Sequence, residues 1–236
     1  MASGQVSPAG HWCRGVVAEV SHPHPMAVII KLDVPHRMEH LPGQHYVVKL
    51  TAEDGYSASR SYSVASAPHD PLIELYVERL DDGEVSPYLA DAVEVGDELE
   101  LRGPIGGWFT WDGSTPAVGV GGGTGVVPLV AMLRHAEHLG HTERFNAAVS
   151  SRTLAELPYA AELAAGGATV VLTREDTEAG RVAGRLTAQE LAPLIADPAT
   201  FFVCGSAGFA ESASSLLTGL GVPAETIRVE RFGPSG

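Results

Sequence analysis

Residues 59–66 read SRSYSVAS. Along an extended run, successive side chains point to opposite faces. Arg60 and Tyr62 therefore share one face, and Ser61 and Ser63 share the other. One cation, one flat ring and two hydroxyls form a platform on which a ligand could lie. The same run also fits a solvated edge strand with a packed tyrosine, and alone it does not choose. A second stretch, GVGGGTGVVPLVAML at 119–133, follows an apolar run and opens a helical pattern. Glycines let a backbone approach a ligand closely, and a helix N-terminus favours phosphate. The spacing is not GxGxxG and no lysine stands where a P-loop needs one, so a plain strand–helix turn explains it equally well. A third stretch, FVCGSAGFAESASSLL at 202–217, repeats the arrangement with Cys204 at the end of a run. A small buried side chain is the usual fate of such a cysteine.

These residues need elements to position them. In the first half, RGVVAEV, MAVIIKLDV, HYVVKLT, RSYSVAS, LIELYVERL and ELELR are short, β-branched or alternating, with Gly, Pro and Asp between them. Ile73, Leu75 and Val77 alternate with Glu74, Tyr76 and Glu78, the pattern of a half-buried strand. Many strands joined by turns predict a small antiparallel barrel. In the second half, PAVGVGGG, FNAAVS, ATVVLT and TFFVCG are apolar runs suited to a parallel sheet. VVPLVAMLRHAEHL, LPYAAELAA, TAQELAPLIA and GFAESASSLLTGL are helical candidates between them. Alternation of this kind predicts βαβ units. The expected fold is thus two-domain, β followed by α/β: residues 10–112 and 113–236, with the boundary inside GWFTWDGSTP. In an open parallel sheet ligands bind beyond the carboxyl ends of the strands, where both glycine turns would fall.

The chain has 236 residues and a formal net charge of −14, with 29 acidic against 15 basic residues. Such a field repels phosphate backbones, so no nucleic-acid partner is expected. No apolar run approaches a membrane span, and the start MASGQVSPAGHWCRG has no basic segment followed by an apolar one. No membrane association and a cytoplasmic location are expected. Two cysteines, Cys13 and Cys204, cannot supply the four thiolates of a plant-type iron–sulfur cluster. His36 and His40 are four apart in PHRMEH, but the glutamate of a zinc-protease motif is missing. His22 and His24, in SHPHP, read as a surface loop. No metal site is expected, and without a GxSxG elbow serine hydrolase chemistry has no support.

RSYS, GEVSPYL, GDELELRGPIGGWF, GGGTGVVP, CGSAGF and the terminal ERFG occur in the order of the ferredoxin–NADP reductase superfamily. The chain resembles that family from GVVAEV to ERFG. The resemblance implies an FAD-binding antiparallel barrel followed by a pyridine-nucleotide domain. It implies Arg60 on the FAD pyrophosphate, Tyr62 stacked on the isoalloxazine and Ser63 beside flavin N5, with Ser61 in the same motif. Val77 and Arg79 would line the flavin, partly through backbone groups. Gly83, Val85 and Ser86 would cradle phosphate oxygens, and Gly43 and Gln44 would form the turn beside the flavin. Gly122, Gly123, Thr124 and Gly125 would pass under the nucleotide, with Cys204 and Gly205 near the nicotinamide. Glu230 and Phe232 match the terminal acidic-x-aromatic pattern. Ser63, Cys204 and Glu230 are the implied catalytic residues. The chain departs from the family at Ser206, where proline is usual, and at Gly121, where alanine is common.

The implied activity is an NAD(P)H-dependent flavoprotein reductase without an iron–sulfur domain. It would take hydride from NADPH or NADH and deliver electrons to a ferredoxin, a flavodoxin, an oxygenase component or a small-molecule acceptor. Two alternatives stand beside it: a reductase of free flavin, and an electron-transfer or regulatory subunit of a larger complex. Arg152 in SSRT and Arg174 in LTRED follow the second and third strands of the nucleotide domain, with Ser151 as an added donor and Arg185 as a further candidate. Bacterial NADP-dependent members of the family carry arginines at similar positions. No acidic residue closes the second strand to bind a ribose 2′-hydroxyl. The balance favours NADPH, against the plain alternative that these arginines pair with Glu156, Glu175 or Asp176.

Overall fold

The computed structural model describes residues 11–195 and 198–232. Residue 10, Ala196 of TAQELAPLIA, Gly233 of ERFG and residues 234–236 lie outside the described residues. The chain divides into two compact units, 1–110 and 111–236. That division falls two residues before the expected one because Trp111 belongs to the second unit. Its ring packs on Phe145 at 5.4 Å between centroids, and its indole N–H donates to the Thr115 carbonyl at 2.9 Å.

The first unit holds six strands, β1 (Trp12–His24), β2 (Ala27–Asp33), β3 (His45–Thr51), β4 (Ser57–Ser63), β5 (Ile73–Glu78) and β6 (Glu98–Ile105), with one short helix, α1 (Ser86–Asp91). They form one antiparallel sheet in the order β4-β3-β6-β1-β2-β5. The two end strands meet through a single bridge, Val64 to Leu75, which closes the sheet on itself. Period-two apolar residues make the interior: Val28, Ile30 and Leu32 from β2, Tyr46 and Val48 from β3, Leu99 and Leu101 from β6. Tyr46 lies flat against Gly103, where a Cβ would sit 2.5 Å from its ring. β5 differs from its alternating pattern. Glu74 and Tyr76 are buried as well as Ile73, Leu75 and Val77, because the segment after β4 folds over it: Ala65 N donates to Glu74 O, and Glu74 N donates to Ser66 Oγ. α1 was not expected, because its six residues are too few to show a helical period.

The second unit holds β7 (Ala117–Gly122), α2 (Val127–Leu139), β8 (Phe145–Ser151), α3 (Ala160–Ala165), β9 (Thr169–Leu172), α4 (Ala188–Leu191), β10 (Thr200–Ser206), α5 (Ala207–Gly219) and β11 (Ile227–Phe232). The sheet is parallel throughout, in the order β11-β10-β7-β8-β9. Chain order reverses between β7 and β10, so the switch point lies between their carboxyl ends. β11 escaped the sequence analysis because Arg228 and Glu230 interrupt its apolar residues. α4 is shorter than the run TAQELAPLIA predicts. Thr187 and Glu190 form a capping box at its start, and Pro193 falls in the single 3-10 turn that follows. Among the described residues no helix is long and apolar enough to cross a membrane.

Candidate functional site

β4 pairs with β3 along one edge only, and its other edge meets β5 at the one bridge beyond its end. Burial alternates along it, with Ala58, Arg60 and Tyr62 more enclosed than Ser57, Ser59 and Ser61. Tyr62 packs against the barrel core. Its buried hydroxyl and that of Ser63 have no hydrogen-bond partner among the described residues. Burial pushes the Tyr62 phenol well above its ordinary range. Leaving such groups unpaired costs roughly 1–3 kcal/mol each, so both hydroxyls are suited to a ligand. Arg60 donates through Nη1 to its neighbour's carbonyl at Ser59, and its Nη2 stands 3.9 Å from Glu84 Oε2. Most of its five donors are therefore free for an anion.

Glu84 belongs to the GEVS stretch, so the fold brings that motif against RSYS. Ser86 Oγ accepts from Leu80 N at 3.1 Å, and a Cβ at Gly83 would lie 2.8 Å from that oxygen. Val85 is fully enclosed and offers only its backbone. Val77 contributes its side chain to the core, and the Arg79 guanidinium pairs with Asp91 at 2.9 Å and with Asp81. Gln44 is a strut: it accepts from Leu41 N at 2.8 Å and donates to Gly106 O at 2.6 Å. Gly43, with φ 97°, makes the turn before it.

Sequence reasoning missed three neighbours. His45 stands directly across from Ser63 in the ladder, and burial together with Arg102 lowers its pKa. Tyr56 donates its hydroxyl to Glu84 at 2.6 Å. His40 is completely buried, with Nε2–H donating to Ser66 O at 2.9 Å, and burial lowers its pKa to about 4. Arg37 closes that knot through Asp70 O. All three links join residues 18 to 28 positions apart, which no local pattern records.

In the second unit the two glycine turns meet at the switch point. A Cβ on Gly125 would overlap the Cys204 carbonyl, and one on Gly122 would lie 2.6 Å from the Phe209 ring. Gly123 has φ 57° with open space where a Cβ would be, and no side chain caps the 3-10 turn from Gly123 through Thr124 to Val126. Its leading N–H groups can receive a phosphate. The departure at Gly121 is a packing requirement, since an alanine Cβ would sit 2.8 Å from Leu129 Cδ1. The departure at Ser206 gives α5 its cap, with Oγ accepting from Phe209 N at 3.3 Å. Cys204 is fully buried and faces Glu230 in the register of β10 and β11, where Gly205 lies opposite Arg231 and Ser206 opposite Phe232. Burial, helped by Glu230, pushes the Cys204 thiol well above its ordinary value, and burial also raises the Glu230 carboxyl.

Arg152 and Arg174 lie side by side beyond β8 and β9, since Arg174 N donates to Arg152 O at 2.9 Å. Arg152 is paired with Glu156 at 2.9 Å. Arg174 and Arg185 are exposed. Glu175 turns to the Leu154 amide instead, at 2.5 Å. Ser151 is buried at the end of β8.

Residues 17–110 match the model of the oxidoreductase FAD-binding domain, ending where the first unit ends. A flavohemoprotein of Deinococcus radiodurans is 33% identical over 215 residues, 82% of this chain and 52% of that protein. The reductase component of propane 2-monooxygenase from a Gordonia species is 32% identical over 155 residues, 64% of this chain and 44% of that protein. The chain spans about half the length of these relatives. The crystal structure of the flavohem-like FAD/NAD-binding domain of nitric oxide dioxygenase from Vibrio cholerae superposes with a TM-score of 0.81 at 27% identity, covering 94% of this chain and 99% of that one. The chain belongs to the ferredoxin–NADP reductase superfamily. The residues of this superfamily member fit the flavin its first unit implies. Two buried hydroxyls lack partners, an arginine has donors to spare, and the adjoining strand edge is open. At the Gly122–Gly125 turn no side chain caps the backbone, and the space beside Gly123 is open.

Proposed function

We propose that the chain is an FAD-dependent reductase that takes reducing equivalents from NAD(P)H and passes them to a separate oxygenase component or haem protein. The observation that carries this reading is the pair of buried, unpartnered hydroxyls on Tyr62 and Ser63 beside Arg60. FAD, when bound, supplies an acceptor for the nicotinamide hydride and a donor of electrons to the next protein. Arg60 and the amides around Gly83, Val85 and Ser86 would hold the pyrophosphate, and Tyr62 would fix the ring plane. Ser63 would donate or accept a hydrogen bond at the ring edge. In the second unit the Gly122–Gly125 turn would hold the dinucleotide phosphates. Cys204 stays neutral because its thiol is pushed up, so it serves as a positioning residue and not a nucleophile. Glu230, whose carboxyl burial raises above its ordinary value, stands next to it.

NADPH is the favoured donor. With Arg152 engaged by Glu156, the exposed Arg174 and Arg185 are the cations left to meet a 2′-phosphate. The relatives point to the acceptor, since one is a flavohemoprotein and another the reductase component of a monooxygenase. The test begins with the purified protein. It should release FAD on acid extraction and oxidise NADPH with a dye as acceptor. Arg60→Ala should weaken FAD binding by about 1.5–3 kcal/mol, the worth of a charge-assisted contact. A protein that takes up no flavin ends the reading.

A further inference from the structure

We propose that His40 is a positioning residue of the flavin site, holding through the Ser66 carbonyl the segment that orients Ser63. The inference rests on the flavin reading above. Ser63 ends β4 with a buried hydroxyl that has no partner among the described residues. The direction of that hydroxyl depends on the backbone that carries it. At Ser63 that backbone leaves its ladder with β3, where His45 is the last residue opposite.

Val64, Ala65, Ser66 and Ala67 continue as a buried strap, and each is tied down. Val64 N donates to Gln44 O at 3.0 Å, and Ala65 N donates to Glu74 O at 2.8 Å. Ser66 Oγ accepts from Glu74 N at 3.0 Å, and Ala67 N donates to Asp70 Oδ2 at 2.7 Å. The Ser66 carbonyl accepts from His40 Nε2–H at 2.9 Å. That bond ties the strap to the loop between β2 and β3. The loop is itself fixed on both sides of His40: Arg37 N donates to Val34 O at 3.3 Å, and Gln44 N donates to Leu41 O at 3.0 Å.

The imidazole is wholly buried, so it acts through the strap and not by touching a ligand. Its partners have one role each, since a carbonyl only accepts and a guanidinium only donates. With Ser66 O at Nε2 and Arg37 Nη1 3.5 Å from Nδ1, one form of the ring serves both, neutral with its proton on Nε2. Burial keeps it neutral by lowering its pKa to about 4. Arg37 is held in turn by Asp70 O, and Asp70 holds Ala67. A phenylalanine would fill the space of His40, but only a donor can hold the carbonyl. A buried acceptor that loses its donor costs roughly 1–3 kcal/mol. The strap would turn to relieve that cost, and Ser63 would turn with it.

The experiment compares His40→Phe, which keeps a buried ring without the donor, with His40→Gln, which keeps a donor. Each protein is saturated with FAD, and the visible circular dichroism of the flavin is recorded beside Tm. His40→Phe should change the flavin bands and weaken FAD about tenfold, the order of one buried hydrogen bond. His40→Gln should return both to near native. A His40→Phe protein with a lower Tm but native bands at saturation would overturn the inference, and so would a glutamine variant no better than the phenylalanine one. If His40→Phe does not fold, Arg37→Ala decides, because it releases Nδ1 from the half-buried side of the ring. A smaller change in the same bands upholds the inference, and native bands end it. A native chain that takes up no flavin sinks the flavin reading, and amide exchange in the flavin-free protein then decides whether His40 holds the segment. The Val64 and Ala65 amides should exchange about tenfold faster in His40→Phe while those of β1 and β2 keep their native rates. Unchanged protection at Val64 and Ala65 ends it.

Discussion

The two proposed sites would be prepared by opposite means. In the first, side chains would present the chemistry: Arg60, Tyr62 and Ser63 stand on a strand whose backbone is secured along one edge by β3. In the second, the backbone would present it, and glycines are required because two turns are packed into each other at Gly125 and Cys204. A side-chain site can be tuned residue by residue without loss of fold. A backbone site cannot lose its glycines without losing the packing that shapes it.

The largest effect should come from the second unit. Gly125→Ala drives a Cβ into the Cys204 carbonyl, backbone against backbone. We expect a loss of about 3 kcal/mol or more, at the upper end of overpacking, seen as a large drop in Tm or as insoluble protein. Gly208→Ala is the matched control, since nothing lies within 4 Å of the added Cβ, and it should be close to neutral. A Gly125→Ala protein that melts like the native one would erase the contrast between the units.

The first unit should answer instead to pH. His40 titrates at about 4 when folded, against 6.5 for the free side chain. As pH falls below 6.5 the unfolded chain takes up the proton and the folded chain does not, so stability falls, and it levels off below pH 4. The difference amounts to about 3 kcal/mol. Urea titrations at pH 7 and pH 4 measure it. His40→Gln keeps a donor for Ser66 O and removes the titration, so its pH dependence over this window should be weaker by that amount. An unchanged slope would mean that His40 is not the group responsible.

The smallest effect concerns nucleotide choice. Arg174→Ala should lower kcat/KM for NADPH about tenfold while leaving NADH nearly unchanged, as loss of one charge-assisted phosphate contact predicts. Arg152→Ala should change the ratio less, because Glu156 already engages that guanidinium. Equal losses with both nucleotides would assign these arginines to the surface alone.

What could be read beforehand follows the same division. RSYS was legible because a strand's period places Arg60 and Tyr62 together without knowledge of the rest. The parallel sheet was legible because buried strands are continuous apolar runs. What stayed hidden depends on partners distant in sequence. Asp91 lies 12 residues from the arginine it captures, Arg79, and Tyr56 lies 28 from Glu84. Gly121 and Ser206 stood out only as departures from the family; one clears Leu129 and the other caps α5. β11 pairs only with β10, at the edge of the sheet, and the polar residues an edge strand tolerates hid its period.

The interlock of Gly125 with Cys204 has one more consequence. The Cys204 carbonyl at the end of β10 rests against the turn that follows β7. Neither can move without the other. Under the proposed function a dinucleotide arriving there would meet a turn already set. Little conformational freedom would be surrendered on binding, and more of the contact energy would be left over as affinity.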